Sequence, residues 1–290
     1  MKADLKKSGK QPIAPVVKRL RLKDAPALFP EMNNSRWQSH AARCTPAWNG
    51  QGRPKLLDLF CCAGGAGAGY SRAGFEVVGV DIKPQPHYPF AFVQADALAL
   101  DPVFIASFHA IHASPPCQSY SDLAKRNGNA DSWPRLIDPV REMLIRSGQP
   151  YVIENVEGAP LRDPMILCGT MFQGLRVLRH RLFEANFPIA APRHGPHPKV
   201  HTFDKRKSHF GKTDEMRDFV SVNGGGNCTV AAASDAMGID WMTKNELNEA
   251  IPPVYTQFIG EQLIAHLART RTNTGTARHA EAGIASSVEA

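Results

Sequence analysis

Five short apolar runs punctuate the first part of the chain. KLLDLF (55–60), EVVGV (76–80), AFVQA (91–95), AIHAS (110–114) and YVIEN (151–155) are each bounded by Gly, Pro or Asp, as expected of strands buried in a parallel sheet. Segments of helical length separate several of them. Leu136, Ile137, Val140, Met143, Leu144 and Ser147 recur at helical spacing and predict a helix just before the last run. This alternation predicts an α/β fold with a doubly wound, mainly parallel sheet. Farther on, Phe258, Ile259, Leu263, Ile264 and Leu267 lie on one helical stripe. Helices over 237–268 should therefore return to pack on the first domain.

The intervening and flanking segments lack this periodicity. Residues 188–236 are dense in Pro, His, basic residues and Gly, which predicts a small inserted domain between a main domain over 54–187 and the returning helices. Residues 1–53 carry far more basic than acidic side chains and should form a flexible arm, while 269–290 are almost free of large apolar side chains and should be disordered. With a formal charge of +7 over 290 residues, the chain favours a polyanionic partner. No apolar stretch is long enough to cross a membrane and no apolar leader follows the first lysines, so an intracellular, cytoplasmic protein is expected. Its six cysteines show no C-x-x-C spacing, which argues for free thiols.

The candidate chemistry lies at the ends of the predicted strands. LLDLFCCAGGAGAGYSRAG runs from a strand through a Gly-rich turn into a small-residue helix, where backbone can approach a ligand. Asp81, about twenty residues past the turn, is placed to accept ribose hydroxyls. Asp96, at the next strand end, is placed to accept from an adenine amino group. In HASPPCQSYSDL, Pro115 and Pro116 forbid both a continued ladder and a helix, so Cys117 sits on a rigid strand-end loop. Glu154 ends the following strand among apolar neighbours, where its carboxyl should hold a proton more tightly than usual.

The order of these elements, D-L-F with the Gly-rich loop, Pro-Pro-Cys-Gln, Glu-Asn-Val and then RHRLF, resembles the cytosine-5 DNA methyltransferases over about residues 54–268. The resemblance implies a Rossmann-like methyltransferase fold whose inserted region, 188–236, is the target-recognition domain. It implies Cys117 as nucleophile, Glu154 as its acid partner, Asn155 as brace of the Cys loop, and Arg179 and Arg181 facing the target base and its phosphate. Gln118 and Ser121 would contact the DNA backbone from an active-site loop. The implied cofactor is S-adenosylmethionine, held by Phe60, Cys62, Ala63 and Gly65 of the loop, by Asp81 with Ile82, by Asp96 with Ala97, and by Pro116. The implied partner is double-stranded DNA, bound by a monomer with one cytosine flipped out of the stack.

The chain departs from this family's pattern in three places. Cys62 stands where Gly is usual, Val177 replaces a Gln ahead of the arginines, and AIPPVYTQFIG stands where a Gly-Asn element is usual. Transfer RNA as substrate, or DNA binding without catalysis, are the competing readings. His194, His197 and His201 have prolines between them that spoil helical presentation, and no Cys or acid cluster is expected to join them, so no metal is expected and a polar DNA-facing loop is the better reading.

Overall fold

The computed structural model describes residues 19–20, 48, 50–121, 126, 128, 130–198, 219–223 and 228–285, with side chains followed no farther than 271. Most of the 1–53 arm and about half of the 188–236 region, including His201, lie outside the described residues.

The five expected strands are all present, as β2 (Lys55–Leu59), β3 (Glu76–Asp81), β4 (Ala91–Gln94), β5 (Ala110–Ala113) and β6 (Tyr151–Asn155). Three more join them in one sheet: β1 (Arg19–Leu20), β7 (Met165–Leu167) and β8 (Arg181–Ala185), in the order β1-β4-β3-β2-β5-β6-β8-β7. Pairing is parallel from β1 through β6 and antiparallel where β8 joins β6 and β7. The interior strands are buried on both faces. Leu56, Val77, Ala110 and Val152 point into one core and Leu57, Val78, Ile111 and Ile153 into the other, which is why their sequences read as continuous apolar runs.

Helices α1 (Gly65–Ala73), α2 (Pro102–Ala106) and α3 (Ile137–Ser147) fill the connections, α3 where its apolar spacing places it. Arg141 of α3 is buried and forms an ion pair with buried Glu184 of β8, Nε to Oε1 at 2.7 Å, so the extra strand is fixed to the helix layer by charge as well as packing. Strand β8 escapes the sequence reading because its Arg and Glu look like surface residues when their partners are unknown.

The carboxyl-terminal part differs from expectation in two ways. Val220, Val222, Cys228 and much of α4 (Val230–Met237) pack into the same core as the sheet, so the end of the 188–236 region is built into the main body. After α5 (Lys244–Glu249), α6 spans Pro253–Ala285, so most of the tail expected to be disordered from 269 is helical. Its many alanines carry helix propensity that the search for large apolar side chains did not weigh.

Candidate active site

Strands β2 and β5 lie side by side, but the chain leaves β2 toward β3 on one flank and returns through β5 on the other. Such a reversal opens a crevice at the carboxyl ends of the strands. The Gly-rich turn forms one lip and the Pro-Pro-Cys loop the other.

In the Gly-rich turn, Phe60 (φ 58°), Cys62 (φ 44°) and Gly64 (φ 86°) all have left-handed backbone. This accounts for the family's preference for Gly at position 62: the chain accepts a Cβ there at a cost on the order of 1 kcal/mol. Cys62→Gly should relieve that strain while adding unfolded-state freedom of similar size. Thermal denaturation of this variant should show an unchanged or slightly raised Tm. A clear drop would mean that the Cys62 side chain makes a stabilising contact.

The glycines of α1 serve a purpose other than the one expected. A Cβ at Gly65 would fall 2.5 Å from the Ile251 carbonyl, one at Gly67 2.8 Å from Asp58 Oδ2, and one at Gly69 2.1 Å from the Pro253 carbonyl. They let α1 pack against the start of α6 and against Asp58, rather than leaving room for a ligand. The stretch AIPPVYTQFIG is therefore the platform beneath α1, and Thr256 donates its hydroxyl to the Ala66 carbonyl at 2.8 Å.

Asp81 ends β3 with its carboxylate accepting backbone N–H groups from Cys62 (3.1 Å) and Lys83 (2.9 Å), which ties the turn to the second strand and leaves lone pairs on both oxygens. Beside it Ile82 is 65% exposed, an unusual state for a large apolar side chain at a strand end. An apolar surface next to a fixed carboxylate suits a purine with its ribose. Asp96 accepts from the Leu98 N–H at 3.0 Å and so caps the short turn Ala97–Ala99, a structural task that occupies one of its oxygens. Ala63, Gly65 and Ala97 are buried, and Phe60 and Pro116 are half-buried. Asp58, of the D-L-F triplet, is fully buried. Burial pushes its carboxyl up to about 8, Tyr88 donates to Oδ2 at 3.1 Å, and Oδ1 has no partner among the described residues.

On the opposite lip the Cys117 carbonyl accepts N–H groups from Tyr120 and Ser121, both at 3.0 Å, closing a tight turn. Asn155 Nδ2 donates to the Pro115 carbonyl at 2.8 Å, bracing the loop from the end of β6 as expected. Glu154 is buried, and its Oε1 lies 3.0 Å from Arg181 Nε. Burial raises the Glu154 carboxyl above its ordinary value, while Arg181 and a hydrogen bond from Ser114 pull the other way. Behind Ser114 runs a chain not foreseen from the sequence: Ser114 Oγ to His112 Nε2 at 2.8 Å, and His112 Nδ1 to Tyr70 Oη at 3.0 Å. Because burial pushes His112 down to about 3, the ring is neutral at physiological pH. With Ser114 donating to Glu154, the consistent arrangement is Tyr70 O–H to Nδ1 and Nε2–H to Ser114.

One expectation about the arginines requires correction. Arg181 and Arg179 do favour the Cys117 thiolate, but burial and the Glu154 charge outweigh them, so the thiol lies above its ordinary value. Arg179 does not face an open site. It is buried, donates to the Val222, Leu247 and Asn248 carbonyls, and is pushed down to about 9 by burial. It joins α5 to the segment before β8. Gln118 is half-buried with no partner for its buried Oε1 among the described residues. The loop beyond Ser121 lies mostly outside the described residues. Val177, the third departure, is fully buried and pairs with Val220 in an isolated parallel bridge, a place without room for a glutamine's unmet polar groups.

His194 and His197 also depart from expectation. They lie exposed on a loop, but their Nε2 atoms also converge on His180 and on the buried Cys168, so a cysteine does join them. The sequence reading missed this because neither partner is near them along the chain.

Residues 54–165 match the model of the C-5 cytosine-specific DNA methylase family. A type II methyltransferase of Herpetosiphon aurantiacus, M.HgiGI, is 29% identical over 119 residues, covering 37% of this chain and 94% of that protein. Among solved structures, a protein described as a DNA modification methyltransferase encoded within a prophage (E. coli) superposes with a TM-score of 0.52 at 16% identity, covering 74% of this chain and 99% of that one. The methyltransferase EhMeth of Entamoeba histolytica gives 0.50 at 13% identity, with 75% and 99% covered. These two likenesses establish the fold, a Rossmann-like methyltransferase sheet.

Proposed function

We propose that this chain, a member of the C-5 cytosine-specific DNA methylase family through its residues 54–165, methylates C5 of cytosine in double-stranded DNA through a covalent Cys117 adduct. The observation that carries this reading is the convergence of Cys117, on the loop after β5, with Glu154, near the end of β6, and Arg181, at the start of β8, with Arg181 bonded to Glu154 at 3.0 Å and the Cys loop braced by Asn155.

Cytosine C5 is a weak nucleophile, and the ring must first gain electron density. The Cys117 thiolate adds to C6 while Glu154 delivers a proton, or a strong hydrogen bond, to N3, which leaves an enamine with its density at C5. Arg181 holds the Glu154 carboxyl in place. S-adenosylmethionine, when bound, supplies the electrophilic methyl group. It fits the residues present: Ile82 offers the apolar surface and Asp81 the carboxylate for its adenosyl part. Once C5 is methylated, a base removes the C5 proton, and β-elimination returns Cys117 as a thiolate. A base in a duplex reaches such a recessed, half-buried thiol only by leaving the stack.

DNA carrying 5-fluorocytosine tests the proposal, because fluorine cannot leave as a cation and the adduct cannot collapse. The protein should form a complex with this DNA that survives denaturation, requires S-adenosylmethionine and maps to the peptide containing Cys117. Methylation of ordinary DNA without any such adduct would refute the covalent route. Adduct formation on RNA alone would replace DNA with RNA as the substrate.

A further inference from the structure

Strands β7 and β8 pair with Leu167 opposite Arg181, so Cys168 and His180 are the next positions at the same end of that ladder. The segment after β8 runs back past them. His194 and His197 point their Nε2 atoms at the His180 Nε2, at 3.2 and 3.1 Å, and lie 3.2 Å from each other. Cys168 Sγ lies 3.5 Å from the His197 Nε2. All four atoms fall within 4.8 Å of one another.

Hydrogen bonding cannot account for this triangle. Each Nε2 presents a single in-plane site, either a proton or a lone pair, and three such sites cannot all pair with one another. At least one edge must set lone pair against lone pair or proton against proton. A cation at the centre satisfies all three lone pairs and the sulfur together. The three nitrogen–nitrogen distances and the Cys168–His197 distance agree with tetrahedral zinc, whose Zn–N of about 2.0–2.1 Å and Zn–S of about 2.3 Å separate its nitrogens by roughly 3.3 Å and nitrogen from sulfur by roughly 3.5 Å.

The surroundings suit such an ion. Glu157 Oε2 lies 3.1 Å from His180 Nδ1, which places a carboxylate to accept Nδ1–H while Nε2 faces the cluster, the usual support of a metal-bound histidine. The Thr170 hydroxyl donates to Cys168 Sγ at 3.4 Å, as it would to a thiolate.

We propose that Cys168, His180, His194 and His197 bind one zinc ion in a closed, structural site of one thiolate and three imidazoles. With four protein ligands no position remains for substrate, so the ion is not a catalyst. Its role is mechanical. It ties the 191–198 segment, the first part of the region expected to recognise the target, to the sheet edge. His180 immediately precedes Arg181, so the ion also fixes the backbone from which that arginine reaches Glu154.

Metal analysis of the full chain purified without chelator should find one equivalent of zinc. Exchange with cobalt(II) should give the intense visible bands of tetrahedral coordination together with a thiolate charge-transfer band. Cys168→Ser should remove the charge-transfer band, and Cys168→Ser combined with His194→Ala should abolish stoichiometric binding. Glu157→Gln, which removes no ligand, should weaken zinc by about 10- to 100-fold. These readouts are independent of methyl transfer. A wild-type protein that holds no zinc above the level of the double variant and gives no tetrahedral cobalt spectrum would overturn the proposal. So would a cobalt charge-transfer band that persists in Cys168→Ser.

Discussion

Cys117→Ser should eliminate methyl transfer while leaving S-adenosylmethionine binding nearly unchanged. The thiol's surroundings already disfavour the anion, because burial and the Glu154 charge together outweigh the two arginines. An alcohol starts far less acidic than a thiol, and the same surroundings would push its alkoxide out of reach near neutral pH. Removing a nucleophile typically leaves only what positioning and binding contribute, so a loss of more than about 10⁴-fold is expected. Transfer of a labelled methyl group measures the loss, and calorimetric titration with the cofactor tests whether the pocket survives. Substantial turnover by the serine variant would mean that Cys117 is not the nucleophile.

The parts legible in the sequence are those where one strand end fixes one side chain. Prolines 115 and 116 announce a loop at Cys117, and Glu154 follows a run of apolar residues, so both could be placed without partners in hand. Asp81 and Asn155 likewise stand where the strand pattern sets them, and both make backbone contacts that join two loops. What escaped notice depends on contacts distant in the chain. Arg179 sits beside Arg181 along the chain, yet it turns inward to carbonyls contributed by residues more than forty positions away. Gly65 and Gly69 resemble ligand-binding glycines until the start of α6 is seen packed against them. His194, His197 and His201 stand out together along the chain. Cys168 and His180 do not, because only the antiparallel register of β7 and β8 sets those two residues side by side.

Glu154→Gln should lower the methylation rate by about 10²- to 10⁴-fold, since the amide keeps the size and a hydrogen bond but cannot deliver a proton. The pH profile separates this role from a merely structural one. Burial raises both groups, so near neutrality Cys117 is mostly thiol and Glu154 titrates above the ordinary carboxyl range. The productive form needs the opposite of the dominant pairing, a thiolate beside a protonated carboxyl. As pH rises between the two pKa values, the gain in thiolate is cancelled by the loss of protonated Glu154, and the wild-type kcat/KM should be flat there. It should fall below the Glu154 pKa, where thiolate is lost, and above the Cys117 pKa, where protonated carboxyl is lost without further gain. With Gln at position 154 the cancelling group is gone. The residual rate should then climb by about tenfold per pH unit through neutrality and level off only at the Cys117 pKa, with no descending limb. Fluorescently followed cofactor binding at each pH guards against loss of the fold. A glutamine variant slowed less than about threefold, or one whose profile stays flat through neutrality, would reduce Glu154 to the partner that anchors Arg181.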